Sequence, residues 1–171
     1  LKDRVSVLVA ATPVEIIEQY EHILRSVGLK PGYVSLSAIS AINLVSTSEM
    51  SLLIKLAERV LTMVAFDSQA VRMVRNIELT PGATQQLTND DPNTVLDEVI
   101  TDVYPTFIFI ADNLQHPVRK LFLGGFDGMI GDALIRFSKE FCCEVEPLEF
   151  ASEVIAAHDV GVRGFFASTK G

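Results

Sequence analysis

The sequence predicts an α/β protein built of α+β lobes, on three observations. Short apolar runs rich in Val, Ile and Leu are interleaved with segments whose apolar residues recur every three to four positions. Three runs, at residues 52–57, 60–66 and 70–79, follow one another at hairpin spacing and imply an antiparallel meander. After them the pattern turns to helix, strand, helix and strand.

Composition bounds the rest. With 171 residues, 49% of them hydrophobic, the chain can bury a core as one large domain or two small packed lobes. A net charge of −8, with the 14 basic residues scattered, argues against a nucleic-acid partner. Cys142 and Cys143 are adjacent and lack metal-ligand spacing, so two thiols in a reducing compartment are expected, one of them in the core. No signal peptide and no apolar run near the ~20 residues of a membrane span are read. The start at Leu1 fits a fragment or divergent member.

Residues 5–11 read as a buried strand. Thr12 caps the next helix, Pro13 takes its first position, and Glu15 completes a capping box. Val14, Ile16, Ile17, Tyr20, Ile23, Leu24 and Val27 form one apolar stripe, which Gly28 terminates with Leu29 just beyond. A short strand follows at 33–36. Ser37 then caps a second helix reaching about Val45, with Ile39, Ile42 and Val45 inward. These elements make a smaller β-α-β-α unit over 1–47, and residues 46–49 are a connection.

In the meander, the third strand is read as alternating, with Val71 and Met73 on one face and Arg72 on the other. Residues 80–93 are an exposed loop, in which Asp90 and Asp91 favour the following helix N-terminus. The helix from Thr94 contains Pro105, where a kink or break is expected. Lys120 opens a strand that ends in Gly124 and Gly125, and a helix runs from about Met129 to Phe141 with Ile130, Leu134 and Phe137 inward. Residues 143–145 are a last strand, 150–158 a short helix, and 160–167 a terminal helix under the sheet. Over 48–171 this is the order of a ribonuclease-H-like lobe, which by itself gives no activity.

The candidate chemistry centres on Gly124, Gly125 and Asp127. A buried strand entering a glycine turn and then a helix can cradle a phosphate, because glycine lets the backbone approach and the helix N-terminus offers free N–H groups. The structural alternative is a tight turn, with Asp127 serving its own backbone. His22, His116 and His158 are dispersed and suggest no metal site, and no catalytic constellation is visible.

The order of motifs resembles the PilM family, actin-like proteins of type IV pilus assembly related to FtsA. The residues that carry the resemblance are Leu8-Val9-Ala10-Ala11-Thr12-Pro13, then Val27-Gly28-Leu29-Lys30-Pro31-Gly32-Tyr33-Val34-Ser35-Leu36. The strands from Leu52 to Ile77 follow, with Arg75 where the family often has an arginine. Leu121-Phe122-Leu123-Gly124-Gly125 and Val160-Gly161-Val162 complete the set. The resemblance implies that 1–47 ends the inserted subdomain of the family fold and that 48–171 is an actin-type, ribonuclease-H-like lobe. It also implies that the family's N-terminal subdomain is missing from this chain.

The family's Asp-x-Gly turn, which holds Mg²⁺ and phosphates, here reads Lys55-Leu56-Ala57. Lysine cannot ligate Mg²⁺. Lys55 and Arg59 are expected in surface or salt-bridge roles with Glu58 or another acidic neighbour, the alternative being direct contact of Lys55 with a phosphate. The resemblance therefore implies a non-catalytic cytoplasmic scaffold without a cofactor. It implies a PilN-like partner, the cytoplasmic tail of an inner-membrane pilus-assembly protein, together with self-association and peripheral attachment through that partner. The alternative is a nucleotide-binding actin-like ATPase with a modified phosphate site, using ATP and Mg²⁺ at Lys55, Gly124, Gly125 and Asp127. A third reading limits the likeness to architecture.

Overall fold

The computed structural model describes residues 7–58, 60–79, 92–114, 116–150, 153–156 and 158–168. Two compact units follow one another along the chain, Leu1–Ser35 and Leu36–Gly171.

In the first unit the periodic stripe forms helix α1, Val14–Ser26. Its C-terminus closes as the sequence indicates. Gly28 takes φ +80°, its N–H bonds the Arg25 carbonyl, and the Leu29 N–H reaches back to Leu24 at 3.0 Å. Its N-terminus differs from expectation, since Pro13 occupies the cap and no side chain bonds the first turn, so Thr12 and Glu15 form no capping box. Nor are the two flanking strands formed. Residues 7–11 and 33–36 lie outside regular structure and are exposed (Val9 79%, Tyr33 67%), while residues 5–6 lie outside the described set. A strand exists only through a neighbour that accepts its hydrogen bonds, and neither run has one among the described residues. α1 itself buries no residue.

The expected β-α-β-α unit over 1–47 therefore does not form, and helix α2, Ser37–Ala41, belongs to the second unit. It continues into a single 3₁₀ turn, Ile42–Leu44. Ile39, Ile42 and Val45 pack half-buried against the core as expected, and the most buried positions are Ala38, Ser40 and Ala41. The reason is close helix packing. A side chain on Gly164 of the terminal helix would collide with the Ser40 backbone, and one on Gly161 would meet Ser37, so only small residues fit between the two helices.

The meander is realised as β1 (Ser51–Ala57), β2 (Val60–Phe66) and β3 (Val71–Glu78). Helix α3, Pro92–Leu114, leads to β4 (Lys120–Gly124), helix α4 (Ile130–Phe141) and β5 (Glu144–Pro147). The sheet order is β3-β2-β1-β4-β5, with β1 antiparallel to β2, β2 to β3, and β4 parallel to both β1 and β5. This is the ribonuclease-H-like arrangement expected from the pattern.

Helices α3 and α4 contribute Val99, Val103, Phe137 and Phe141 to the core that covers Leu52, Ile54 and Met63. The opposite sheet face, with Leu53, Val64 and Phe122, packs on Ala38, Ala41 and Val160. Burying a side chain such as Phe137, fully enclosed here, contributes roughly 1.5–3 kcal/mol.

Three further expectations change. The register shifts between Ala65 and Phe66, leaving Arg72 as an extra residue on β3. As a result Val71 and Met73 pack on opposite faces, whereas Arg75, beyond the bulge, keeps the face of Met73, opposite Met63 on the α3 side. Helix α3 does not break at Pro105 but runs through it for 23 residues. In place of a helix at 150–158 there is a small hairpin, β6 (Glu149–Phe150) with β7 (Glu153–Val154). Asp90 and Asp91, and most of the loop expected at 80–93, lie outside the described residues, and the helix begins at Pro92.

The terminal helix α5, Val160–Ser168, forms as expected, and its Val160 is buried in the second core. Both cysteines are free. Cys142 is exposed, in the left-handed region that terminates α4, and Cys143 packs half-buried against the core. Burial, with a smaller contribution from Cys142, pushes the Cys143 thiol up to about 11, which leaves it unreactive at neutral pH.

Candidate functional site

Strands β1, β4 and β5 run in one direction, and their C-terminal ends carry the β1–β2 hairpin and the glycine turn. In open α/β sheets that edge is where ligands bind. Gly124 ends β4, Gly125 has φ +80° and Gly128 φ +78°. Between them Phe126 turns inward, buried, with its ring edge-on to Phe137 at 5.8 Å. The Met129 N–H bonds the Phe126 carbonyl at 3.0 Å, and Met129 caps α4.

Both glycines of the predicted cradle have a structural cause. A Cβ on Gly124 would lie 2.7 Å from Leu148 Cδ1, so Leu148 fills the space a side chain would need. Gly125 adopts a backbone conformation that costs other residues roughly 1–2 kcal/mol. Asp127 is exposed on the turn, three residues past Gly124.

Lys55 is brought to this turn. It stands in β1 opposite Thr62 on one side and Gly124 on the other, at the ~4.8 Å spacing of neighbouring strands. It is half-buried, on the face of Leu53 and Phe122. Burial lowers its pKa, and no described residue pairs with it. Of the expected surface or salt-bridge roles, no salt bridge from Lys55 to Glu58 or another acidic residue is present among the described residues; Glu58 sits in the hairpin turn with φ +52°, and Arg59 lies outside the described residues. The structure thus unites Lys55 with Gly124 and, through the chain, with Gly125 and Asp127. An ammonium beside a glycine turn can attract an anion, and it cannot ligate Mg²⁺. Among the described residues no three His, Cys, Asp or Glu side chains converge as metal ligands.

Sequence reasoning missed the other charged groups of the sheet. Lys120 lies between two carboxylates, 2.7 Å from Glu146 Oε1 and 3.4 Å from Glu144 Oε2, with its ammonium 5.6 Å from the Phe122 ring centre. The hydrogen bond to Glu146 raises its pKa, against some desolvation and with help from Glu144. A recess of ≈ 380 Å³ beside it is lined by Phe122, Glu146 and Glu149, and its acidic wall suits no anion. Arg75 donates to the buried Thr106 hydroxyl at 2.9 Å. The register of β4 with β5, which creates the Lys120 pairs, is invisible in sequence; the alternating Glu144 and Glu146 were its only signal.

Comparison with known proteins gives a consistent fold. No family model matches the chain, and no curated protein matches it by sequence. Among solved structures it is similar to PilM in a PilM–PilN type IV pilus biogenesis complex, with a TM-score of 0.70 and 14% identity over 89% of this chain and 58% of that one. The pSK41 ParM protein in its apo form matches at 0.51, with 11% identity over 78% of this chain and 47% of that one. The ethanolamine utilization protein EutJ from Carboxydothermus hydrogenoformans matches at 0.55, with 9% identity over 86% of this chain and 59% of that one. The chain has the PilM-like, actin-like ATPase fold and spans less than two thirds of each of these proteins.

Proposed function

We propose that the chain is part of a non-catalytic scaffold for assembly of a type IV pilus or related secretion machine. In this reading it holds the tail of a membrane protein, as PilM is found with PilN in a pilus biogenesis complex. One local observation supports the scaffold over the enzyme: at the turn where Mg-ATP chemistry would need a carboxylate, the side chain beside Gly124 is the half-buried cation Lys55. A peptide of the cognate membrane protein's tail, titrated into the chain by calorimetry, should bind with micromolar affinity. Absence of heat at high peptide concentration would remove the main support.

The second reading, a nucleotide site with modified phosphate contacts at Lys55, Gly124, Gly125 and Asp127, is favoured by the position of Lys55 at the C-terminal sheet edge. Titration with Mg-ATP separates the two. The scaffold reading expects no binding at millimolar nucleotide, and a magnesium-dependent micromolar affinity would overturn it.

A further inference from the structure

The two sheet edges are unequal. β5 is four residues long and ends in Pro147, a short edge of the kind that resists further pairing. β3 has eight residues and no proline, and among the described residues no strand lies outside it. Beyond the bulge its register with β2 is regular from Met73 to Glu78. Over that stretch alternate backbone groups point away from β2 and form a template for another strand.

Side chains alternate along this template. Met73, Arg75 and Ile77 stand on the α3 face, opposite Ala65, Met63 and Leu61. Met73 and Ile77 are half-buried apolar groups, and Arg75 lies between them, exposed. Its guanidinium donates to the neutral Thr106 hydroxyl, and no carboxylate among the described residues pairs with it. A charge that guards an edge does so by obstructing an incoming strand. The bond to Thr106 instead holds Arg75 on the α3 face.

We propose that the edge of β3 from Met73 to Glu78 takes an extended segment of a partner protein as a sixth strand, one that carries an acidic residue between two apolar ones. The pleat dictates the spacing. On the α3 face an apolar side chain lies beside Met73, a carboxylate beside Arg75 and an apolar side chain beside Ile77, each two residues from the next. Small polar residues suit the positions beside Val74 and Asn76, on the other face. With five donors, the guanidinium can keep Thr106 and still bind the carboxylate. A basic segment would set like charge beside Arg75, and so would a second copy of a strand that carries two arginines and one carboxylate. The inference deepens the scaffold reading, from which it takes only that the chain has a protein partner.

Fluorescence anisotropy with a labelled synthetic peptide, Thr-Val-Thr-Glu-Thr-Val-Thr, tests the edge directly. The intact chain should bind it. The same peptide with Lys in place of Glu should bind about tenfold more weakly, since the change turns a cross-strand attraction into a repulsion. Arg75→Glu should reverse that preference. Two readouts leave the protein unaltered. N-methylation of alternate peptide residues should abolish binding in one phase and spare it in the other, because only every second amide faces β3. β3 amides should gain hydrogen-exchange protection when the peptide saturates the chain. Absence of binding at about 1 mM peptide would overturn the proposal. So would equal binding of the Glu and Lys peptides, an equal effect of the two methylation phases, or β3 protection that rises with chain concentration alone, which would put a second copy on the edge. The titration with the cognate tail is separate. If that tail binds and this peptide does not, the edge is overturned and the scaffold reading stands; the reverse result keeps the edge and removes the scaffold reading.

Discussion

Two lysines lie on the same face of one sheet and meet opposite fates. Lys120, at the start of β4, is enclosed by Glu144 and Glu146 and rests near the Phe122 ring. Lys55, at the far end of β1, is half-buried beside Gly124 and has no described partner. The first ties β4 to β5 and raises its own pKa in doing so. The second carries a desolvation cost that no ion pair among the described residues offsets. The comparison separates a cation that ties two strands together from one that does not.

The largest expected effect probes the packing around Lys55. Gly124→Val forces a branched side chain into Leu148 and Val160, 2.7 and 3.5 Å from the added Cβ. It should destabilise by about 1–3 kcal/mol in urea unfolding. A neutral result would mean that Leu148 moves freely and that the turn has room for a ligand.

Gly125→Ala should cost about 1–2 kcal/mol, because the φ of +80° is retained by the turn. Lys120→Gln should cost less, about 0.5–1 kcal/mol at neutral pH, since the pairs are partly exposed and screened by solvent. The raised folded-state pKa of Lys120 makes its contribution complete below the unfolded value of 10.5 and lost as pH rises through the higher folded value. The gap between variant and parent should therefore close in strong alkali.

Lys55→Met has the smallest effect and the opposite sign, a stabilisation of about 0.5 kcal/mol, limited because the ammonium keeps part of its solvent. Here the folded pKa lies below the unfolded 10.5, so the penalty is full below the folded value and vanishes as pH rises toward 10.5. Parent and variant should converge there. A destabilised Lys55→Met variant would break the comparison by revealing a partner for Lys55.

Much of the second unit was legible from sequence because its signals are local. The apolar runs of β1 and β2 needed no partner to be recognised, and the Gly124-Gly125 pair marked the end of β4. In α1 the helical period and Gly28 fixed the element and its C-terminus, and these too are short-range properties. The same reading failed at 7–11 and 33–36, where apolar, β-branched residues suggested strands. Whether such residues pair depends on a neighbour that composition does not reveal. The bulge at Arg72 was hidden for a related reason: an inserted residue shifts face assignment only once β2 is alongside.

At the candidate site the division is similar. Sequence by itself determined the element types, the meander order, the glycine turn and the presence of lysine where a carboxylate was expected, since each depends on residue identity or on spacing within a few turns of chain. Only the tertiary structure decided that Lys55 stands beside Gly124 without a counter-ion among the described residues while Lys120 acquires two, and that Leu148 fills the space over Gly124. The first rests on parallel register between strands more than sixty residues apart in the chain and the others on contacts more than twenty residues apart, set by the packing of whole faces.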